Sequence, residues 1–179
     1  MTTHSATVLK HRPPVRAIPH RPPSTTAPAA TAQAVIDTLN ALIETCADGA
    51  YGFASCGDYS NISRHRSLFR QRAHACDEAG SQLQTVVLKL GGVPARGGST
   101  SGALHRGWVA VRGTLSGLRD QSILAECERG ELVALERYRN ALAQALPSDV
   151  RRLVQSQCDG IAFNLEQIRL LREAERALA

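Results

Sequence analysis

A chain of 179 residues with 43% hydrophobic content is long enough for one compact domain and an appendage. No stretch approaches the roughly 18 uninterrupted apolar residues of a membrane helix, and the N-terminus lacks the apolar segment of a secretory signal. We therefore expect a cytoplasmic protein without membrane contacts. The net charge of +5 resides mainly in residues 1–32, which hold four basic residues and no acidic one, so nucleic-acid binding is not expected outside this segment.

Residues 1–33 are predicted to be a disordered basic tail. Six of the eight prolines lie here among Ser, Thr, Ala and Arg, and such a composition cannot bury enough apolar surface to offset the entropy of ordering. The segment also has the arginine content of an organelle transit peptide, although its prolines would break the amphipathic helix that such peptides need. Residues 34–179 are the predicted folded domain.

The first two helices are predicted from apolar residues at three- and four-residue spacing. A stripe that begins at Val35 indicates a first helix over roughly residues 34–56, which the next glycine, Gly57, is expected to end. A second stripe begins at Phe69 and ends before Gly91 and its neighbouring glycine.

A long connection over residues 92–119 separates these helices from two more. An apolar stripe within it predicts a short helix, and Trp108 is interpreted as the anchor of this crossover against the long helices. Asp120 or Ser122 can cap a third long helix, and Ser148 can cap a fourth. Because no β-type alternation occurs, the sequence predicts an all-α fold: an antiparallel ferritin-like four-helix bundle. The long link would allow the second and third helices to run parallel.

Five glycines lie inside the predicted helices, where each costs about 1 kcal/mol relative to alanine. Close approach of neighbouring helices is one explanation, and local bends are another. These glycines are Gly49, Gly52, Gly80, Gly130 and Gly160.

Four segments resemble a family of uncharacterised bacterial four-helix-bundle proteins, a domain of unknown function in the ferritin-like superfamily. They are LIETCADGAYGF, LGGVPARGGSTSGALHRGW, ILAECERGELVALERYRNAL and LPSDVRRLVQSQ. The resemblance runs from about Val35 to Arg172, and its most specific part is the connection from Leu90 to Trp108. It implies a ferritin-like fold and, by analogy with ferritin-like proteins, a bacterial stress setting, but it implies no activity.

Ferritin-like relatives with a di-iron centre carry an inward Glu on helices one and three and Glu-x-x-His on helices two and four. That spacing directs a carboxylate and an imidazole to one helix face. This chain has no Glu-x-x-His, and its nearest substitute, Gln71-x-x-His74, falls opposite the apolar stripe. On the first helix Glu44 and Asp48 are predicted to project away from the stripe. Glu131 on the third helix is the one strong inward carboxylate.

Glu131 is expected to pair with Arg72, because a buried carboxylate without a partner would be costly. No catalytic residue and no cofactor are predicted. If the protein does bind iron, zinc or copper, the candidate ligands are Glu131, His74, Cys76 and Cys127.

The cysteines are interpreted mainly as core residues. Cys46, Cys76, Cys127 and Cys158 fall one on each long helix, over a span of about 12 Å at 1.5 Å per residue, so all four cannot bind one tetrahedral metal, although pairs remain open. No Cys-x-x-Cys motif occurs. Cys56, near a helix end, is predicted to be the exposed and reactive thiol.

The sequence favours a non-catalytic helical bundle that acts through contacts with an unidentified protein partner. A leftover apolar face would also allow a homodimer. Two alternatives stay open: a metal-binding or redox protein with a degenerate site, and a basic N-terminal arm that binds anionic partners.

Overall fold

The computed structural model describes residues 31–96 and 120–177, and these ranges contain four helices and no strand. The helices are α1 (Ala32–Tyr59), α2 (Ser63–Lys89), α3 (Asp120–Leu142) and α4 (Ser148–Ala177). The all-α prediction is therefore confirmed for this part of the chain. Among its helices, none has both the length and the hydropathy that a membrane span requires.

Two predicted features lie outside the described residues. They are the basic tail up to residue 30 and the crossover helix with its anchor Trp108.

The helix boundaries differ from those predicted. α1 begins at Ala32, inside the segment assigned to the tail, because the Thr31 hydroxyl accepts a hydrogen bond from the Ala34 N–H at 3.3 Å. It continues through Gly57 to Tyr59, so this glycine does not end it. Ser148 is the first residue of α4 and not its cap.

α2 ends at the predicted glycine pair. Gly91 adopts a φ of 78°, a left-handed conformation that glycine reaches without strain. The Gly92 N–H then donates to the Val87 carbonyl at 2.9 Å and satisfies an end carbonyl of the helix.

The four helices form two hairpins that pack side by side. α1 lies along α2, α3 lies along α4, and α1 also packs against α3, whereas α2 and α4 touch over a much shorter length. At the end of α1, the Ser60 hydroxyl donates to Asp120 at the start of α3 at 2.7 Å. Cys46 in the middle of α1 meets Tyr138 near the end of α3, so these two helices are antiparallel. It follows that α2 and α3 run parallel, as the long link allows.

The interior is mainly aliphatic, as the low aromatic content predicts. One cluster of buried residues draws on all four helices, including Leu39, Leu83, Leu135 and Val154. A second cluster surrounds Phe69 near the start of α2. Full burial of a Leu or Phe side chain stabilises the folded state by roughly 1.5–3 kcal/mol, so these clusters are the main source of stability.

Two of the five helical glycines lie where α1 and α2 approach closely. A Cβ added at Gly49 would lie 3.0 Å from Cys76 Sγ, and one added at Gly80 would lie 3.3 Å from Cys46 Cβ. The close-approach explanation is confirmed at these positions. It is wrong for Gly160, where an added Cβ would meet no atom within 4 Å.

Candidate functional site

The carboxylate of Glu131 on α3 lies in the interior, and its side chain is only 1% exposed. Arg72 of α2 holds it with two hydrogen bonds: Nε donates to Oε1 at 2.5 Å and Nη2 donates to Oε2 at 3.2 Å. Such a bidentate contact is the strong form of the arginine–carboxylate pair, and it offsets the cost of burying both charges. The structure thus brings together the two residues assigned to the polar pair.

Asn164 of α4 is a third member of this group, and the sequence analysis missed it. Its side-chain amide donates to Glu131 Oε1 at 2.5 Å in the buried interior. The available signal was its spacing, three residues after Ile161 and four before Ile168, which places it on the inward face of α4. The Arg72 guanidinium also lies 5.8 Å from the centre of the Phe53 ring of α1, so all four helices contribute to the group.

A second polar group surrounds the hydroxyl of Tyr138 on α3. The hydroxyl donates to Gln157 Oε1 at 2.9 Å and lies 3.2 Å from Cys46 Sγ. The Gln157 amide in turn donates to Gln82 Oε1 at 2.9 Å and to the Ala79 carbonyl at 3.3 Å. Burial raises the pKa of Tyr138, so its hydroxyl keeps its proton at any physiological pH.

A cavity of about 200 Å³ separates these two groups from the surface. Its walls come from all four helices and include Phe53, Ala134 and Ile161 as well as the polar residues just described. Its exposed lining residues belong to α2 and α4, and they are Glu78, Gln82 and Gly160. The cavity therefore opens between these two helices, which is where their mutual contact is slight.

Cys46 and Cys76 also line the cavity. Burial raises the pKa of both thiols, and it raises that of Cys76 to about 12 even though the Arg72 charge acts in the opposite direction. Since the thiolate is the nucleophile and the metal ligand, neither side chain is primed for reaction at neutral pH.

The prediction that Cys56 is an exposed thiol is wrong. Cys56 is 0% exposed, because α1 continues beyond it and keeps it in the second cluster beside Cys127. Burial raises the pKa of Cys127 well above its usual value, and the neighbouring Cys56 thiol acts in the same direction. Each of the five cysteines is an unpaired, buried thiol.

The prediction that Asp48 projects away from the apolar stripe is also wrong, since its exposed fraction is 3%. α1 packs against both α2 and α3, so its buried surface is wider than the single stripe used in the prediction. Thr45 and Ser55 of α1 are buried for the same reason.

His65 was not among the residues that the sequence singled out. It is completely buried at the start of α2. Its ring lies 6.2 Å from that of Phe69, and Nε2 is 3.7 Å from the Glu175 carboxylate, which is too far for a hydrogen bond. Within the described residues neither ring nitrogen has a hydrogen-bond partner. Burial lowers the pKa of His65, and the charges of Glu175 and Asp120 partly counteract this effect.

The four candidate metal ligands are not brought together. Glu131 and Cys76 line the cavity, Cys127 belongs to the second cluster, and His74 lies on the surface of α2 with Nδ1 3.5 Å from Glu78 Oε1. Over residues 31–96 and 120–177, no three His, Cys, Asp or Glu side chains are grouped so that they could hold a metal ion.

A further ion-pair group joins α3 to the end of α4 near the second cluster. Glu128 accepts hydrogen bonds from Arg169, at 3.0 Å, and from Arg172. Partial burial opposes ionisation of Glu128, but the two arginines outweigh it and hold its pKa below the usual value.

These features define an all-helical protein in which two hairpins enclose a cavity with a buried arginine–carboxylate pair. The model of one protein family, described as a domain of unknown function (DUF2383), matches residues 34–144, which is more than half of the chain. The chain belongs to this family. No curated protein matches it.

Proposed function

We propose that the protein is a non-catalytic helical bundle of ferritin-like architecture that acts through contacts with another protein. The observation that carries this proposal is the mutual pairing of the polar groups that line the cavity. The Glu131 carboxylate is held by Arg72 and Asn164, and the Tyr138 hydroxyl is held by Gln157. Both oxygens of the Glu131 carboxylate accept hydrogen bonds from Arg72, which is the geometry of a structural ion pair.

The ferritin-like architecture is supported by the order and direction of the helices. Two antiparallel hairpins, α1 with α2 and α3 with α4, are joined by the long link over residues 97–119, and α2 runs parallel to α3. A single long crossover between two such hairpins is the connectivity of ferritin-like bundles.

The metal-binding alternative is disfavoured by the chemistry of the donor set. A di-iron or zinc site needs several carboxylates or imidazoles that converge on the metal. At Glu131 the neighbouring groups are a guanidinium and an amide N–H, and both are hydrogen-bond donors. A positive charge at this position repels a cation.

The contact surface is assigned to the exposed face of α4. Phe163 and Leu170, 69% and 51% exposed, lie seven residues apart, so they fall on one face about 10 Å from each other. An exposed phenylalanine beside a second large apolar side chain is a feature of interaction surfaces. A row of exposed acids, Asp159, Glu166 and Glu173, follows one side of this pair.

The partner that fits this surface is a protein segment with apolar side chains flanked by lysine or arginine. Opposite charges would align the acidic row with that segment and raise the association rate at low salt. The five unpaired thiols are those of a protein in a reducing compartment, which supports a cytoplasmic setting for the contact. A role in a bacterial stress response stays a prediction from the resemblance.

A photo-crosslinking experiment tests the contact. A photoreactive amino acid at Gln167 is irradiated in a cell lysate, and the crosslinked peptide is identified by mass spectrometry. The proposal predicts a basic, apolar peptide whose yield falls at least tenfold with Phe163→Asp and falls steeply with salt. Leu88→Asp, which changes an equally exposed leucine on α2, is the control and leaves the yield unchanged.

Two results would contradict the proposal. One is a crosslinked peptide that is acidic or comes from a second copy of this chain, which would make α4 a homodimer surface. The other is stoichiometric metal in the purified protein after loading with cobalt(II), iron(II), zinc(II) or copper(I), which would support the metal-binding alternative instead.

A further inference from the structure

The cavity between the four helices is large enough for a small organic molecule. Its volume of about 200 Å³ exceeds the roughly 150 Å³ that suffices for benzene in a protein interior. Most of its lining is apolar and includes the Phe53 ring and the aliphatic side chain of Ile161. A ligand with an aromatic or aliphatic body of six to seven heavy atoms would bury its surface here.

A path to the cavity exists between α2 and α4. Gly160 lies at the opening, and a Cβ added at this position would have no atom within 4 Å. Across the opening on α2, Glu78 and Gln82 have exposed side chains. The hydrogen bonds of Gln157 to Gln82 and to the Ala79 carbonyl cross this gap, so a ligand would enter by displacing this side chain and not by separating closely packed helices such as α1 and α2.

The charges around the cavity determine the charge of the ligand. At the buried end Glu131 and Arg72 form an ion pair with an Nε–Oε1 distance of 2.5 Å, and the third charged residue of the lining, Glu78, is exposed to solvent at the opening. A charged ligand would therefore bring an uncompensated charge into the buried end of the site. That cost excludes carboxylates and amines and leaves neutral molecules.

Part of the hydrogen-bonding capacity that remains at the cavity is that of an acceptor. Each carboxylate oxygen can accept two hydrogen bonds. Glu131 Oε1 receives two, from Arg72 and Asn164, but within the described residues Oε2 receives one. The Tyr138 oxygen gives its own proton to Gln157 and accepts from the Cys46 thiol at 3.2 Å, so it is already engaged. A ligand hydroxyl or N–H can therefore donate to Oε2. A hydroxyl oxygen can also accept from Arg72, because within the described residues only two of the five guanidinium donors are engaged.

We propose that this cavity is a binding site for a small neutral molecule that has an apolar, preferably aromatic, body and one hydrogen-bond donor, as phenol has. The body would lie against Phe53 and Ile161, and the donor would face Glu131. The site is separate from the α4 surface assigned to protein contacts, so either assignment can fail without the other.

Ligand-detected NMR on the full chain tests the proposal with four probes of similar size: phenol, toluene, benzoate and benzylamine. We expect phenol to bind at least tenfold more tightly than toluene, since only phenol supplies the donor. Benzoate and benzylamine should not bind, because both are charged at pH 7. Equal binding of phenol and toluene, or tighter binding of a charged probe, would overturn the proposed ligand class.

Two leucine substitutions on α4 test the location. Gly160→Leu places a side chain at the opening, where there is room for it, and is expected to weaken phenol binding at least tenfold. Ala162→Leu adds a leucine to the same helix at an exposed position outside the cavity lining and should leave binding unchanged. Thermal unfolding of both variants verifies that they are folded. Unaltered phenol binding in folded Gly160→Leu protein, or no binding to the unmodified chain, would refute the site.

Discussion

At the scale of single residues, the interior polar groups were predictable to different degrees. Glu131 could be found because an acid on an apolar stripe stands out, and Arg72 followed from the need for a positive partner. Asn164 offers only its spacing from the apolar residues of α4, and His65 offers less, since polar uncharged residues occur on either face of a helix. Their burial depends on which neighbouring helices cover them, and that is a property of packing.

The buried histidine leads to a prediction about pH. Because burial lowers the pKa of His65 in the folded state, the unfolded chain binds the proton more readily. The contribution of His65 to the free energy of unfolding is fully present above the ordinary histidine pKa of about 6.5. It is lost as the pH falls towards the lower pKa that His65 has in the folded state. The charged groups around it are Arg64 on its own helix, Glu175 on α4 and Asp120 on α3.

Urea denaturation between pH 7.5 and 5 measures this effect. The unmodified protein should lose stability below pH 6.5, and His65→Phe should lose less over the same range. The His74→Phe variant is the control, because this histidine is exposed on the surface of the same helix. Equal pH dependence in the unmodified and His65→Phe proteins would show that His65 is not buried in its neutral form.

At the scale of the helices, the periodic apolar pattern located all four, but it located their ends poorly. α1 passes through Gly57 because the neighbouring residues Phe53 and Cys56 are buried, and this packing outweighs the unfavourable helix propensity of glycine. Because the pattern locates helix ends poorly, it also led to the wrong prediction that Cys56 is exposed. A pattern records which residues are apolar, whereas exposure near a helix end depends on how far the helix continues.

The helical glycines give a prediction at this scale. Gly160→Ala should stabilise the protein by about 0.5–1 kcal/mol, because alanine favours the helix and the added methyl group meets nothing. Gly80→Ala should stabilise the protein by less than this or should destabilise it. The added Cβ would lie 3.3 Å from Cys46 Cβ, so one of the two helices would have to shift. Urea denaturation midpoints of the two variants compare them directly. An equal gain at both positions would argue against the close contact of α1 and α2.

At the scale of the whole molecule, the order of the four long helices in the described residues follows from the sequence, and the length of the link allows the parallel run of α2 and α3 without requiring it. The cavity does not follow from the sequence, because its volume depends on the spacing of α2 and α4, and no single residue determines that distance. The spacing of α2 and α4 also leaves an opening to the cavity. This opening lies beside the buried arginine–carboxylate pair, in which the two charges cancel. This combination of a neutral interior and an apolar, acidic outer face on α4 is the physical basis of both proposals.

Both proposals require that Arg72 and Glu131 form a structural pair and that neither is held ready for a metal or a reaction. Denaturation of Arg72→Met, Glu131→Gln and the double variant tests it most directly. Arg72→Met should cost about 3–5 kcal/mol, because it leaves a buried carboxylate without its counter-charge. The double variant should recover at least half of this loss, since the side chain introduced by Glu131→Gln is neutral and can still accept from Asn164. A cost below about 1 kcal/mol for Arg72→Met, or a double variant as unstable as the sum of the single ones, would contradict the account.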